Sequence, residues 1–248
     1  SLLDDVFTRI EEIEALMNFQ SSDSEVSRIN RNAGVRPVPV SEETLWVCEQ
    51  AVRFAELSNG AFDITIGPLV ELWGIGTEDA VVPQSEKIEA LLPLVDYRKI
   101  KINPKNGTVY LPEKGMKIDL GGIAKGYAAD EAARILQDRG ISRAIIDFGG
   151  NIYVLGSKRK ETPWRIGIQH PRAGRGNYIG IVEAADKAFV SSGDYERYFM
   201  ESGKRYHHIL DTETGYPVRN DVIGVTVISN NALSADALST AVFSLGVE

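Results

Sequence analysis

The first third of the chain shows apolar residues at helical spacing, interrupted by short polar breaks. In the opening segment the apolar positions, three or four residues apart with acidic residues between them, are Val6, Ile10, Ile13 and Met17. This spacing places apolar side chains on one face of a helix. Along the whole chain, apolar spacing and boundary signals of this kind predict six helices. They cover residues 4–17, 25–30, 41–58, 84–91 and 127–138, and the last one starts near Ser234.

Beyond residue 100 the pattern changes to short β-branched and apolar runs joined by tight turns. Asn106-Gly107 lies between two such runs and is a strong hairpin signal. The predicted strands cover residues 100–102, 108–111, 117–120, 144–147, 151–156, 164–169, 178–182, 188–191, 195–200, 205–209 and 222–228. This order of elements predicts an α+β fold with mixed or antiparallel sheets and flanking helices. No linker divides the chain, so we expect a single domain over residues 1–248.

Composition narrows the class of protein. The 248 residues are 43% hydrophobic and 25% charged, which is ordinary for a soluble globular protein. The net charge of −8 argues against nucleic acid or an anionic membrane as the main partner. A single cysteine, Cys48, excludes an intramolecular disulfide, and no apolar run approaches the ~20 residues that span a bilayer. The chain starts inside one predicted helix and stops inside another, so we expect both ends to be trimmed.

Two oxygen-bearing side chains stand four residues apart in the last predicted helix. Asp236 and Thr240 share one helix face, which we expect near the end where unpaired N–H groups attract anions. Two hard oxygen donors at that place could hold Mg²⁺ against a phosphate. The structural alternative is that Ser234 caps the helix, Asp236 complements the helix dipole and Thr240 packs.

The segment Asp119–Gly126 joins a predicted strand to a predicted helix. Its glycines would let backbone N–H groups approach a phosphate, and Lys125 would add a positive charge. The segment is neither a G-x-G-x-x-G nor a Walker motif. A tight turn with an exposed lysine is therefore an equal alternative.

Two of the three histidines are adjacent. Neighbours on a strand face opposite sides, so we expect only one of His207 and His208 to enter a pocket, where Asp211 could orient it across a turn. A ring with a pKa near neutral could take a proton from a hydroxyl nucleophile. A structural histidine is the alternative. A zinc site is a weaker one, because His170 is the only further imidazole and no cysteine pair exists.

Two further segments, 58–74 and 191–198, carry candidate groups. In the first, Trp73 could stack on a planar ring, whereas Phe62 is interpreted as a core residue. In the second, Ser192 offers a hydroxyl at a strand end. Ser192 does not lie in a G-x-S-x-G elbow, so a serine hydrolase is not indicated.

Several of these motifs stand in a familiar order along the chain: 24–30, 60–65, 119–126, 192–195, 208–211 and 236–240. Together they resemble the ApbE family, the FAD:protein FMN transferases, over nearly the whole chain. The resemblance implies an ApbE-like fold with a flavin cleft between two interlocked lobes. It also implies Mg²⁺-dependent transfer of the FMN moiety of FAD to a Ser or Thr hydroxyl of a client protein, with release of AMP.

The resemblance assigns roles to individual residues. It implies that the metal ligands are Asp236, Thr240 and the backbone carbonyl of Ala124. It implies His208 as the catalytic base, with His207 the weaker candidate. The positions that it places in the flavin dinucleotide site are Asp63, Trp73, Asp119, Gly122, Lys125 and Ser192.

The resemblance also implies partners and a location. Clients in this family are typically flavin subunits of membrane redox complexes, and members are commonly exported bacterial lipoproteins. We therefore expect the periplasm or the outer face of the inner membrane. Two alternatives to transfer stay open: hydrolysis of FAD to FMN and AMP, and a flavin-binding carrier without turnover. From the resemblance we expect the family's first strand, which is mainly structural, to be missing before the opening helix of this sequence.

Overall fold

A computed structural model of the chain describes residues 1–174 and 176–247. Its helices are α1 (Leu2–Met17), α2 (Glu25–Arg31), α3 (Glu42–Leu57), α4 (Gly67–Trp73), α5 (Ser85–Leu91), α6 (Ala124–Asp138) and α7 (Ala232–Leu245). Its strands are β1 (Val38–Pro39), β2 (Lys101–Asn103), β3 (Thr108–Tyr110), β4 (Ala144–Asp147), β5 (Asn151–Leu155), β6 (Trp164–Gln169), β7 (Tyr178–Ala184), β8 (Lys187–Gly193), β9 (Tyr198–Glu201), β10 (Lys204–His207) and β11 (Gly224–Ser229). Every helix in this part of the chain is too short or too polar to cross a bilayer.

The helix boundaries in the first third follow local capping signals. Ser24 and Ser41 each accept a hydrogen bond from the backbone N–H three residues on, at 3.0 and 3.2 Å. These bonds satisfy N–H groups that have no partner inside the helix. After α3, Asn59 and Gly60 have φ values of 50° and 87°, the left-handed conformation predicted for this helix end. Gly67-Pro68 opens α4, since proline fits the first turn of a helix.

The sheets confirm the predicted α+β class. Every pair of the named strands is antiparallel. One four-stranded sheet has the order β11-β8-β5-β4, a three-stranded sheet has the order β1-β3-β2, and β6–β7 and β9–β10 are separate hairpins. The turn predicted at Asn106-Gly107 joins β2 and β3, with Gly107 at φ 59°.

The helices α6 and α7 pack together and cover one face of the four-stranded sheet. A Cβ on Gly126 would lie 2.3 Å from the carbonyl oxygen of Ala232, so only glycine permits this approach of the two helices. The carboxylate of Asp130 on α6 accepts the N–H groups of Ala232 and Leu233, at 2.7 and 2.9 Å. The starts of α6 and α7 are therefore held next to each other.

The segment predicted as a strand over 117–120 is not a strand. Among the described residues, its β contact is a single parallel bridge between Lys117 and Ile66. The side-chain amide of Asn30 accepts from the N–H of Ile118 at 2.8 Å and donates to its carbonyl at 3.0 Å. This amide pairs with the backbone as a neighbouring strand would. The local apolar pattern does not distinguish the two arrangements.

The two helices that frame the site begin earlier than predicted. α6 begins at Ala124 and not at Tyr127, so Gly126 is a helical residue that packs closely on α7 and does not form a turn. Asn231 caps α7 by accepting the N–H of Ser234 at 2.8 Å, so Ser234 is not the cap. Asp236 therefore lies in the second turn of α7 and not at the unpaired N–H groups of its own helix.

Candidate active site

A cavity of about 830 Å³ lies where α1, α4, α6, α7 and β8 meet the segments 61–66, 119–122 and 148–151. Ten predicted site residues line it: Asp63, Trp73, Asp119, Gly122, Ala124, Lys125, Ser192, His208, Asp236 and Thr240. The fold thus brings together positions that are widely separated along the chain. The role of each residue stays a prediction.

Asp236 and Thr240 present open oxygen atoms to the cavity from consecutive turns of α7. Asp236 is 4% exposed, and its Oδ2 accepts the backbone N–H of Gly126 at 2.9 Å. Burial raises the pKa of Asp236 to about 6, against the opposing charge of Lys125. Within residues 1–174 and 176–247, the hydrogen bond to the Asp236 carboxylate is made by Oδ2, so its Oδ1 and the hydroxyl of Thr240 have no partner there. Two hard oxygen donors are therefore available to a cation.

The helix start that faces Asp236 is that of α6, not that of α7. The first turn of α6 contains Ala124, Lys125 and Gly126, and the N–H of Gly126 points at the carboxylate. Unpaired N–H groups at this end carry a positive partial charge. The anion-attracting helix end is therefore present, but it comes from the neighbouring helix.

The glycine-rich segment lets the main chain approach Thr240 closely. A Cβ on Gly122 would lie 3.1 Å from Cε2 of Phe62 and 3.7 Å from the hydroxyl of Thr240. Oδ1 of Asp119 holds the turn by accepting the N–H of Gly121 at 2.8 Å. Burial raises the pKa of Asp119, whereas the charge of Arg197 lowers it. A substituent at Gly122 would fill space that borders both the aromatic ring and the open hydroxyl.

His208 lines the cavity, and its ring is oriented by a backbone carbonyl. The carbonyl oxygen of Arg197 accepts both the main-chain N–H of His208, at 3.1 Å, and its Nδ1–H, at 3.2 Å. A carbonyl only accepts, so Nδ1 carries the proton and Nε2 keeps its lone pair. Burial, followed by the charge of Arg197, lowers the pKa of His208 to about 3. The ring is therefore a neutral proton acceptor at neutral pH.

His207 and Asp211 do not take part in this arrangement. His207 is buried, its Nε2 donates to the carbonyl of Val218 at 2.9 Å, and its ring packs edge-on against Phe243. Asp211 accepts the N–H groups of Glu213 and Thr214 and so closes its own turn. The expectation that Asp211 orients the histidine is wrong, because its accepting Oδ1 is used locally and the Arg197 carbonyl holds the ring.

Asp63, Trp73 and Ser192 border the cavity with their polar groups already paired. The Asp63 carboxylate accepts three hydrogen bonds, from the N–H and hydroxyl of Thr65 at 2.7 Å and from the N–H of Tyr97 at 2.8 Å. Trp73 is fully buried, and its indole N–H donates to a backbone carbonyl at 2.8 Å. The hydroxyl of Ser192 pairs with that of Ser239 at 2.8 Å. These groups hold the walls in place, and direct contact with a ligand stays a prediction for them.

Several parts of the cavity wall were not predicted, among them Arg197 and the segment 148–151. Arg197 lies within a segment that the sequence singled out, but a lone arginine carries no distinguishing signal. The loop Phe148–Asn151 also lines the cavity. Its two consecutive glycines, with φ of 69° and 103°, were the signal that could have found it.

Comparison with known proteins shows the family to which this chain belongs. The model described as the ApbE family matches residues 2–248. This chain belongs to the ApbE family. The resemblance found in the motifs is thereby confirmed.

Relatives of this ApbE-family chain share about a third or more of its residues. A protein named FAD:protein FMN transferase from Klebsiella pneumoniae (strain 342) is 39% identical over 243 residues, which are 98% of this chain and 75% of that protein. One of the same name from Vibrio cholerae (strain O395) is 38% identical over 241 residues, or 96% of this chain and 72% of that protein.

Solved structures of ApbE proteins have the same fold. The crystal structure of the ApbE protein from Thermotoga maritima has a TM-score of 0.93 at 40% identity and covers 98% of this chain and 78% of that one. The flavin transferase ApbE from Vibrio cholerae has a TM-score of 0.89 at 36% identity and covers 100% of this chain and 79% of that one. The predicted ApbE-like α+β fold is confirmed.

The donor set in this ApbE-family cavity fits Mg²⁺. Within the described ranges, no three or more His, Cys, Asp or Glu side chains cluster as a metal site. The set offered by Asp236, Thr240 and Ala124 is one carboxylate, one hydroxyl and one carbonyl. Mg²⁺ prefers such oxygen donors and takes few of them from protein when phosphates and water supply the others. The open oxygens of Asp236 and Thr240 are consistent with that requirement.

Proposed function

We propose that this chain moves the FMN moiety of FAD onto a Ser or Thr hydroxyl of a client protein and releases AMP, with Mg²⁺ as cofactor. The observation that carries the proposal is the meeting, in one cavity, of the open oxygens of Asp236 and Thr240 with the neutral imidazole of His208. The names of the relatives, FAD:protein FMN transferase, support the substrate and the reaction class.

The proposed role of His208 is that of general base. A client hydroxyl loses its proton as its oxygen attacks the FMN phosphorus, and Nε2 of His208 is the free nitrogen that accepts it, since Nδ1 is held by Arg197. The new bond joins the hydroxyl oxygen to the FMN phosphorus. The bond from that phosphorus to the bridging oxygen breaks, and AMP leaves with the bonding electron pair.

The proposed role of the α6–α7 side of the cavity is to offset the negative charge of the phosphates of FAD. Asp236, Thr240 and the carbonyl of Ala124 would hold Mg²⁺, which when bound acts as a Lewis acid on the phosphoryl oxygens. Lys125 and the start of α6 add positive potential on the same side. A chain with a net charge of −8 can therefore accept an anionic dinucleotide at one place.

The location and the clients are proposed on the resemblance alone. We propose that the protein acts in the bacterial periplasm or on the outer face of the inner membrane, as a lipoprotein. Its clients would be flavin subunits of membrane redox complexes. The acidic surface supports a partner other than nucleic acid.

Mass spectrometry of an acceptor tests the function directly. A flavin-subunit fragment with a Ser/Thr flavinylation motif is incubated with the protein, FAD and Mg²⁺, with EDTA and Asp236→Asn as controls. We expect a gain of one FMN phosphoester on the acceptor, which both controls abolish.

The other outcomes distinguish the alternatives. Free FMN and AMP without an adduct would point to hydrolysis of FAD. If the protein binds FAD but leaves it intact, and no adduct forms with any of several acceptor fragments, the result would point to a carrier. Full turnover by Asp236→Asn at saturating FAD would overturn the assignment of the metal ligand.

A further inference from the structure

Asn151 has a buried side-chain amide that makes no hydrogen bond within the described part of the chain. It is the first residue of β5, it lines the cavity, and it is 2% exposed. Within residues 1–174 and 176–247, neither its Oδ1 nor its Nδ2 has a partner. A buried polar group that has lost its water and has no partner in the protein is destabilising, so this amide weakens the ligand-free fold.

Two other asparagine side chains, Asn30 and Asn220, are less buried than Asn151 and are nevertheless paired at both ends. Asn220 accepts the N–H of Val222 at 3.0 Å and donates to the carbonyl of Phe243 at 2.8 Å. Asn30 forms the two-way pairing with Ile118 described above. Pairing of this kind is the rule for buried amides. The packing of the fold therefore gives no reason for an amide at position 151.

The main chain around Asn151 is held firmly. Oδ1 of Asp147 accepts the N–H groups of Gly149 and Gly150, at 2.9 and 3.4 Å. The carbonyl of Asn151 accepts the N–H of Phe148 at 2.9 Å. Along β5, Asn151 shares a face with Tyr153, which packs against α6 and α7. The amide is thus on the side of the sheet that carries the open oxygens of α7.

The chemistry of an amide limits what can satisfy it. It presents one acceptor and one donor group side by side, whereas an ionised phosphate offers acceptors only and would leave Oδ1 unpaired. A heterocycle edge with adjacent donor and acceptor atoms satisfies both, as when asparagine pairs with the N6 and N7 atoms of adenine. Phe148, Val190 and Ala128 also line the cavity and offer apolar surface to a planar ring.

We propose that Asn151 binds the hydrogen-bonding edge of one heterocycle of the dinucleotide substrate. Both rings of FAD carry such an edge: N3–H with its neighbouring carbonyl oxygens in the isoalloxazine, and the N6 amino group beside a ring nitrogen in adenine. The inference rests on the proposed binding of FAD. It adds a residue of the binding site that the sequence motifs did not indicate.

The test compares ligand binding with stability in the ligand-free protein. Asn151→Leu keeps the approximate size and removes the unpaired amide, so we expect a ligand-free melting temperature equal to or above that of the parent. We expect FAD to bind 10-fold or more weakly in titration calorimetry with Mg²⁺ present, because two hydrogen bonds are lost. The control Asn220→Leu removes a paired and more exposed amide that lies away from the cavity. It should lower the melting temperature and leave the Kd for FAD within twofold.

FMN and AMP, titrated separately, tell the two rings apart. Weaker binding of FMN supports the isoalloxazine edge, and weaker binding of AMP supports the adenine edge. A Kd for FAD within twofold of the parent overturns the inference whatever the stability. Failure of the parent itself to bind FAD would overturn the proposed function as well. If Asn151→Leu does not fold, Asn151→Ala removes the amide without apolar bulk, and the same comparison of Kd values applies.

Discussion

Asp63 and Asp236 are both buried carboxylates at the cavity wall, but their surroundings differ. Asp63 accepts three hydrogen bonds from its own fold, whereas Asp236 accepts one and keeps an open oxygen. Burial raises the pKa of each. At the scale of single residues, the number of internal partners separates groups that build the cavity from groups that are available to a ligand.

Substitution of these two aspartates should therefore affect stability in different ways. Asp63→Ala removes the acceptor of three donors and should lower the free energy of unfolding by about 2–4 kcal/mol. Asp236→Asn removes a buried charge with a single bond, so the metal-free stability should be unchanged or raised by up to ~2 kcal/mol. Urea unfolding in EDTA measures both. A larger loss for Asp236→Asn than for Asp63→Ala would contradict this division.

The adjacent histidines provide a matched pair for the proposed base. His208→Gly should slow transfer by a factor of about 10²–10⁴ and leave the Kd for FAD within a few-fold, because it removes the proton acceptor only. His207→Gln should keep the transfer rate and lower stability, since it loses packing against Phe243. Single-turnover transfer to an acceptor fragment, followed by mass spectrometry, gives the rates. Transfer by His208→Gly at the parent rate would place the base elsewhere.

At the scale of elements, the site depends on how closely α6 and α7 approach. Gly126 lies against Ala232, and Asp130 binds the first N–H groups of α7. These contacts place the start of α6 beside Asp236, so that Gly126 donates to its carboxylate. The helix end that attracts anions and the open oxygens belong to different helices, and their packing joins the two.

A methyl group at position 126 should separate these helices. Gly126→Ala places a Cβ 2.3 Å from the carbonyl oxygen of Ala232, and we expect a loss of about 3 kcal/mol or more, with FAD binding weakened in proportion. Gly180→Ala is the control, because Gly180 lies in β7 and a Cβ there meets no atom of residues 1–174 or 176–247 within 4 Å. Thermal unfolding and FAD titration should change for the first variant only. Equal behaviour of both variants would show that the close contact is not needed.

At the scale of the whole molecule, the cavity gathers residues from Ile10 to Thr240. The organisation as a single domain over 1–248 stays a prediction, and it agrees with a cavity whose walls come from most of the chain. The net charge is −8, yet the proposed ligand is an anion. Lys125 and Arg197 at the cavity and the start of α6 supply positive potential locally.

The histidines should give the folded protein a measurable sensitivity to acid. Burial lowers the pKa of His207 below 6.5 and that of His208 to about 3. As pH falls below about 6.5, the unfolded chain takes up protons at these rings and the folded chain does not, so their contribution to stability is present above that pH and is lost towards pH 3. Between pH 7.5 and 5.0 the loss from His208 should be about 2 kcal/mol, and His207 contributes in the same direction.

The measurement compares how the free energy of unfolding of two proteins changes with pH. A comparison is needed because buried carboxyl groups change that free energy in the opposite direction. Burial raises the pKa of Asp236 to about 6 and also raises the pKa values of Asp119 and Asp130, so these groups favour the folded state as pH falls. Urea unfolding at several pH values is compared for the parent and the double variant His207→Gln/His208→Gln. Parallel pH dependences of the two proteins would rule out the histidines as the source.

Elements that depend on neighbours within a few residues were predicted correctly. Ser24 and Ser41 cap helices through N–H groups three positions away, and Asn106-Gly107 turns a hairpin, because each acts on its own stretch of backbone. Motif order alone likewise indicated the family and ten residues that line one cavity.

What depended on the tertiary structure involves partners far apart along the chain. The predicted strand over 117–120 pairs with the side chain of Asn30, and the N–H that binds Asp236 comes from Gly126, 110 positions away. The carbonyl of Arg197, not Asp211, holds His208, and the amide of Asn151 stands out only once its lack of partners is visible. Local patterns record interactions along one element, whereas these contacts arise from packing between elements, which one-dimensional spacing does not specify.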